Sequence, residues 1–382
     1  MSHLRPRARV CPKLQEKARQ VIDSADFVPA SDSLKSIESD CAGRPVIGLD
    51  TEFVRERTFY PRPGLIQIYD GDRISLIDPI GRDQDNELSR LMTDHSIIKV
   101  FHSVGEDLEI MQLVCGEVPQ PLFDTQIAAA MLGFPLQYRY ETLVHECFGA
   151  TLAGGQARSD WCRRPLSDDL LRYAASDVAW LIELQDLLQE GLEKAGRQDW
   201  LKEDCQRLVD QAESTDDRLP LLRVKGGGHL DEAGLGWLNL LAAWREREAR
   251  ARDLPRSFVI KDDLLVQIVE RSAQGLGESA LDVLHSRDRR RHGETLAGLL
   301  AGAAPEPLGR PPELQRMEPT QRSALKAAQK RVRTLAEKLD VDPALIASKR
   351  ELTRLLFGDR PEWASGWRQQ FLPEILGQST QS

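Results

Sequence analysis

Residues 45–188 alternate short apolar runs of β type with segments of helical periodicity, which confines this part of the chain to a layered α/β domain. Val46-Ile47-Gly48-Leu49 reads as a buried strand. Leu65-Ile66-Gln67-Ile68-Tyr69 and Ile74-Ser75-Leu76-Ile77 flank the turn Asp70-Gly71-Asp72-Arg73, a pattern that predicts a hairpin. Three strands thus open the sheet, two of them antiparallel neighbours. Another strand is predicted over 97–101, and helices over 106–113, 125–132, 141–147 and 168–188.

Beyond Arg197 the β signal fades, and Leu, Ala, Glu and Arg recur at helical spacing. The polar run 214–218 and Gly226-Gly227-Gly228 read as connecting segments, and the Pro- and Gly-rich stretch 303–312 cannot continue a helix. For 382 residues this predicts several modules: an unassigned extension at 1–25, an α/β domain at 26–210, an all-α unit at 215–300, a linker at 301–314 and a second all-α unit at 315–377.

An apolar share of 41% with 29% charged residues excludes wholesale disorder, and no run approaches the roughly 18 apolar residues of a membrane span. Arg5, Arg7 and Arg9 are followed by Lys13, Gln15, Glu16 and Lys17 without an apolar stretch, so an exposed extension is expected there rather than a secretion signal. The six scattered cysteines read as reduced thiols of a cytoplasmic protein. A net charge of −9 does not favour a general polyanion binder, yet residues 316–338 carry seven cations against two acids. That stretch suits a phosphate backbone and a solvated helix face equally well.

The chemistry is carried by acids. Asp50 and Glu52, in Leu49-Asp50-Thr51-Glu52-Phe53, share one face of a strand by simple alternation. Two like charges there repel, and a divalent cation relieves the repulsion. Asp107 follows the strand that ends Val100-Phe101-His102, at a predicted helix start. Tyr173 and Asp177 lie four residues apart, on one helix face. Each has an ordinary structural explanation taken singly: solvated strand-end acids, a first-turn acid, a packed tyrosine. His102, a lone histidine, reads as structural, and Phe59 and Tyr60 as base-stacking or packing residues.

Taken together, Asp-x-Glu, Asp and Tyr-x-x-x-Asp in this order resemble the DEDD exonuclease superfamily, with its ribonuclease H-like fold and mixed sheet flanked by helices. The tyrosine branch fits, because the histidine branch has His five residues before the last Asp, where this chain has Arg172. The stretches Leu49 to Arg55, Gly64-Leu65-Ile66-Gln67-Ile68, Pro121 to Gln126 and Arg158-Ser159-Asp160-Trp161 are similar to the ribonuclease D family, and the helical remainder resembles two HRDC domains.

The resemblance implies a 3′-to-5′ exoribonuclease that releases nucleoside 5′-monophosphates from RNA with a free 3′ end, tRNA precursors among them. It implies two divalent ions, Mg²⁺ or Mn²⁺: Asp50, Glu52 and Asp177 hold one, and Asp50 bridges to another supported by Asp107, while Tyr173 orients water. Thr51, Phe53, Arg158 and Trp161 become expected substrate contacts, Trp161 by stacking. No membrane, no nucleotide cofactor and a monomer are expected. A DNA 3′ exonuclease and an inert nucleic-acid adaptor are the rival readings. A helicase is set aside because the chain has no G-x-x-x-x-G-K-[ST] loop.

Overall fold

The computed structural model describes residues 4–82, 84–214, 219–360 and 362–377, so most of the polar connector 214–218 lies outside the described residues. Six strands form one mixed sheet in the order β1-β4-β3-β2-β5-β6: β1 (Asp26–Val28), β2 (Val46–Val54), β3 (Arg62–Tyr69), β4 (Ile74–Ile77), β5 (Ile98–Phe101) and β6 (Leu122–Asp124). β2 runs antiparallel to β3 and parallel to β5, which places the acid-bearing strand in mid-sheet. The predicted hairpin is present as the antiparallel β3–β4 pair. β1 and β6 escape periodicity analysis because each has only three residues.

Alternation along β2 sorts the core into two layers. Ile47 and Leu49, with Ile66, Ile68 and Phe101, pack under α2 (Lys35–Cys41), α3 (Asn86–Thr93) and α4 (Asp107–Cys115). On the other face Leu65, Tyr69 and Val100 meet α5 (Thr125–Met131), α6 (Tyr140–Phe148), α7 (Asp168–Val178) and α8 (Leu181–Ala195). The helix predicted over 168–188 is therefore two helices. Trp180 leaves helical geometry at φ −118° and ψ 3°, and Tyr140 Oη accepts its N–H at 3.1 Å, so a buried tyrosine enforces the break.

The expected exposed extension is instead packed. Arg5 donates to Gly133 O at 2.9 and 3.1 Å and lies 4.4 Å over the Phe134 ring, while Arg9 pairs with Asp186 and Glu190 of α8 at 2.6 Å each. It leads into α1 (Pro12–Asp23), whose Ala18 and Val21 enter the core. Arg5 and Arg9, which looked like part of an exposed start, are tethers, a role that depends on groups far along the chain.

After α9 (Gln198–Glu213) come α10 (Glu232–Ala251), α11 (Arg256–Val259), α12 (Asp262–Ala273) and α13 (Ser286–Ala301). These four enclose their own core around Leu235, Leu238, Leu241, Ile268 and Leu296. The Pro-rich linker then folds back on α10, with Leu308 N–H bonded to Glu232 O; a Cβ on Gly236 would lie 2.5 Å from Glu306 O, so only glycine admits this approach.

The last helices are α14 (Pro319–Leu339), α15 (Pro343–Ile346), α16 (Lys349–Leu356) and α17 (Leu372–Leu376). Leu325, Val332, Leu335, Ile346 and Trp367 join the core of the α/β domain. Trp200 of α9 stacks on Trp367 at 4.4 Å and 9°, and Arg368 forms a two-pronged buried ion pair with Asp204 at 2.5 and 2.8 Å. The C-terminal unit is thus welded to the α/β domain.

Candidate active site

Strand β2 presents Asp50 and Glu52 toward α7, and α7 returns Asp177: carboxylate oxygens of these three residues lie within 4.8 Å of one another. A bulge between Glu52 and Phe53 ends regular pairing with β3 at this point. Asp107, the first residue of α4, stands beside this cluster. Its carboxylate accepts the Thr51 hydroxyl at 2.5 Å, so Thr51 ties the fourth acid to the acid-bearing strand.

Electrostatics sets the cluster apart from ordinary surface acids. Burial first, and then repulsion from Asp107, Asp177 and Glu52, holds Asp50 protonated far above the usual carboxylate range. Burial with repulsion from Asp177 and Asp107 pushes Glu52 up to about 9. Burial raises Asp177 to about 8 despite the Tyr173 hydrogen bond, and Asp107 to about 7 despite the Thr51 bond. Among the described residues no lysine or arginine pairs with any of the four. An all-carboxylate donor set, desolvated and without a cation of its own, fits hard divalent ions.

A stability test follows. These acids titrate higher in the folded chain than in the unfolded one, so the stability they contribute is complete below about pH 4 and is lost as pH rises toward about 9. In chelator the unfolding midpoint is expected to fall across that window. Millimolar divalent cation should raise it more at about pH 8 than at about pH 5, because the ligands must be deprotonated. Equal shifts at both pH values would contradict a carboxylate metal site.

Tyr173, half-buried on α7, donates to Asp177, and burial pushes its hydroxyl well above the ordinary phenol range, so the hydroxyl keeps its proton. Trp161 corrects an expectation: fully buried, it packs 6.1 Å from the Tyr173 ring and has no surface on which a base could stack. Gly64 makes this possible, since a Cβ there would lie 2.6 Å from Trp161 Cβ. Arg164 locks the same loop with two bonds to Asp78, at 2.6 and 2.7 Å, and others to the carbonyls of Trp161 and Gly64. Phe53 is half-buried at the end of β2, and Arg158 is exposed on the loop before Trp161.

Sequence reasoning missed Asp124, which caps α5 and accepts the N–H groups of Ser103 and Val104 at 3.2 and 2.9 Å. It thereby holds the turn, with Ser103 at φ 65°, that delivers Asp107. The Asp-Thr-Gln context was the available signal, because an acid before a helix is a capping pattern. His102 is structural as expected, with Nδ1 2.8 Å from Thr125 Oγ1 and Nε2 2.8 Å from Tyr138 O.

The loop 55–60 after β2 is held from both sides. Arg55 pairs with Glu106 and Glu109 around the start of α4. Asp253, at the end of α10, accepts the N–H groups of Phe59 and Tyr60 at 3.0 Å each, and Arg250 and Arg256 lie 5.1 and 4.8 Å over the Phe59 ring. Phe59 is therefore a packing residue. Arg55, Phe59, Tyr60, Glu109, Arg250 and Arg256 line a cleft of about 850 Å³.

Comparison with known proteins places this geometry. Residues 26–193 match the family profile described as 3′-5′ exonuclease, and residues 235–300 the HRDC domain. The chain is 36% identical over 362 residues to ribonuclease D of Shewanella sp. (strain ANA-3), covering 92% of each chain. It is 35% identical over 365 residues to ribonuclease D of Escherichia coli (strain K12), covering 92% of this chain and 96% of that one. The crystal structure of Escherichia coli RNase D, described as an exoribonuclease involved in structured RNA processing, superposes with a TM-score of 0.82 at 33% identity, over 92% of this chain and 97% of the other.

Proposed function

This chain belongs to the ribonuclease D family and is a 3′-to-5′ exoribonuclease, and from that premise we propose which residues carry the reaction and on which RNA. Asp50, Glu52 and Asp177 would hold one divalent cation, and Asp107 with Asp50 would hold a second. The observation that carries this assignment is the convergence of desolvated carboxylates with no cationic side chain paired to them. The donor chemistry suits Mg²⁺ or Mn²⁺. Bound ions supply charge stabilisation to the attacking and leaving oxygens of an in-line displacement.

The chain's own residues do the rest. Thr51 keeps the Asp107 carboxylate in place, and Asp124 fixes the turn before it. Tyr173 keeps its proton and aligns a water against Asp177, with the buried Trp161 supporting its ring. Tyr173→Phe retains all four acids, so the expected result is a partial loss of about 10²-fold in kcat with little change in KM, checked by steady-state hydrolysis of a 3′-labelled RNA. A loss as complete as that of an acid variant would show instead that the hydroxyl is indispensable to the site.

Phe53 and Arg158 meet the terminal nucleotide and its phosphates, and tRNA precursors with 3′ extensions are the substrates. The protein works in the cytoplasm as a monomer, with its six cysteines free. No described helix is long and apolar enough to cross a membrane. The boundaries 26–210, 215–300 and 315–377 serve as working domain limits, with the third unit HRDC-like but sharing the first unit's core. The decisive assay offers a 3′-extended tRNA, a circular RNA and a matched DNA strand, with Mg²⁺, Mn²⁺ or chelator. A metal-dependent ladder shortening from the 3′ end of the tRNA is expected. Comparable cleavage of the circle or preference for DNA would overturn the substrate assignment.

A further inference from the structure

Helix α14 carries a feature that the active site leaves unused. It buries Leu325, Ala328, Val332, Leu335 and Ala336 against the rest of the protein. At 3.6 residues per turn, Arg322, Lys326, Lys330 and Arg333 fall within about 80° of one another on a different arc, a stripe about 17 Å long. All four are exposed, and among the described residues no carboxylate pairs with any of them. Neighbouring arginines behave otherwise: Arg350 and Arg354 pair with Glu313 and Asp359, and Arg368 with Asp204. Alongside the stripe runs a groove of about 560 Å³ lined by Arg316, Arg322, Leu325, Lys326, Gln329 and Lys349.

Four unpaired cations along one line, in a chain of net charge −9, are not a general property of its surface. Resting on the exoribonuclease reading above, we propose that this stripe and groove form a second RNA-docking surface, which takes the phosphate backbone of the structured body of a substrate whose 3′ end lies in the active site. Successive cations stand about 6 Å apart along the helix, a spacing suited to consecutive phosphates and indifferent to base sequence. A lipid surface does not fit, because the apolar face such a helix would insert is already buried in the core. The stripe ends at Glu337, which limits the contact to about three turns of helix.

The test measures binding of a fluorescent RNA hairpin with a single-stranded 3′ tail to the full chain in chelator, across a range of salt concentrations. R322Q/K326Q/K330Q/R333Q is expected to weaken hairpin binding at least tenfold at moderate salt and to flatten the slope of log K against log salt by about 3. R322K/R333K should bind as wild type, and Lys338→Gln, off the stripe, should change neither quantity. A fourfold variant with wild-type affinity and slope overturns the proposal, including where the stripe instead receives an acidic protein. Wild-type hydrolysis of a short unpaired RNA is measured in parallel. Its failure would overturn the active-site reading; its success beside an unchanged hairpin slope would overturn only the docking surface.

Discussion

Asp50→Asn should abolish hydrolysis while leaving the protein folded and able to bind RNA. Asp50 is the carboxylate on which the other three converge: Asp107, Asp177 and Glu52 all act on it. The amide keeps the shape of the side chain but removes the charge and one anionic oxygen. Loss of a single donor from a preorganised site costs about 10²–10³ in rate, and loss of the carboxylate at the centre of the proposed metal site should exceed that, so a fall of at least about 10³-fold is expected in single-turnover assays. The same substitution removes a carboxyl that must take up a proton on folding, so in chelator at about pH 8 the variant should melt higher than wild type while gaining less from added cation. Substantial activity, or an unchanged response to cation, would place the metal elsewhere.

The second large effect concerns stability. Arg368 and Asp204 are almost wholly buried, and their two mutual bonds are joined by bonds from Arg368 to Leu345 O at 2.8 and 3.1 Å and from Trp367 Nε1 to Asp204 at 3.2 Å. Arg368→Met removes the two-pronged partner and leaves the buried Asp204 carboxylate to Arg207, 3.0 Å away, and Trp367 Nε1. Breaking a buried pair from one side costs about 3–5 kcal/mol, and the remaining arginine places the expected loss at the lower end, about 3 kcal/mol. Urea denaturation followed by Trp200 and Trp367 fluorescence should report that loss, because the two rings are stacked at this junction. D204N/R368M should recover part of it, since the buried carboxylate is then gone and the charge left over, Arg207, is partly exposed. A loss under about 1 kcal/mol would mean that the C-terminal unit is held by its apolar contacts alone.

The four clustered acids were legible because their order and spacing are local facts read against a strand and two helices. Asp50 and Glu52 share a face by alternation, and Tyr173 and Asp177 by helical repeat, whatever else the chain does. Asp124 and Tyr140 were not legible in their roles: one caps a helix while gripping a distant turn, the other takes the N–H that breaks α7 from α8. Trp161 was misjudged because a motif does not report depth; its burial depends on a glycine about a hundred residues earlier.

By itself the chain of residues determined the α/β class, the helical remainder and which acids share a strand or helix face, since periodicity, breakers and charge spacing act over a few residues. Only the tertiary structure decided that Arg5 and Arg9 are tethers, that the third unit shares the first unit's core, and that the α14 cations have no carboxylate partner among the described residues. Each of these depends on which distant groups meet, and long-range pairing of charge and apolar surface is written in no short stretch of sequence.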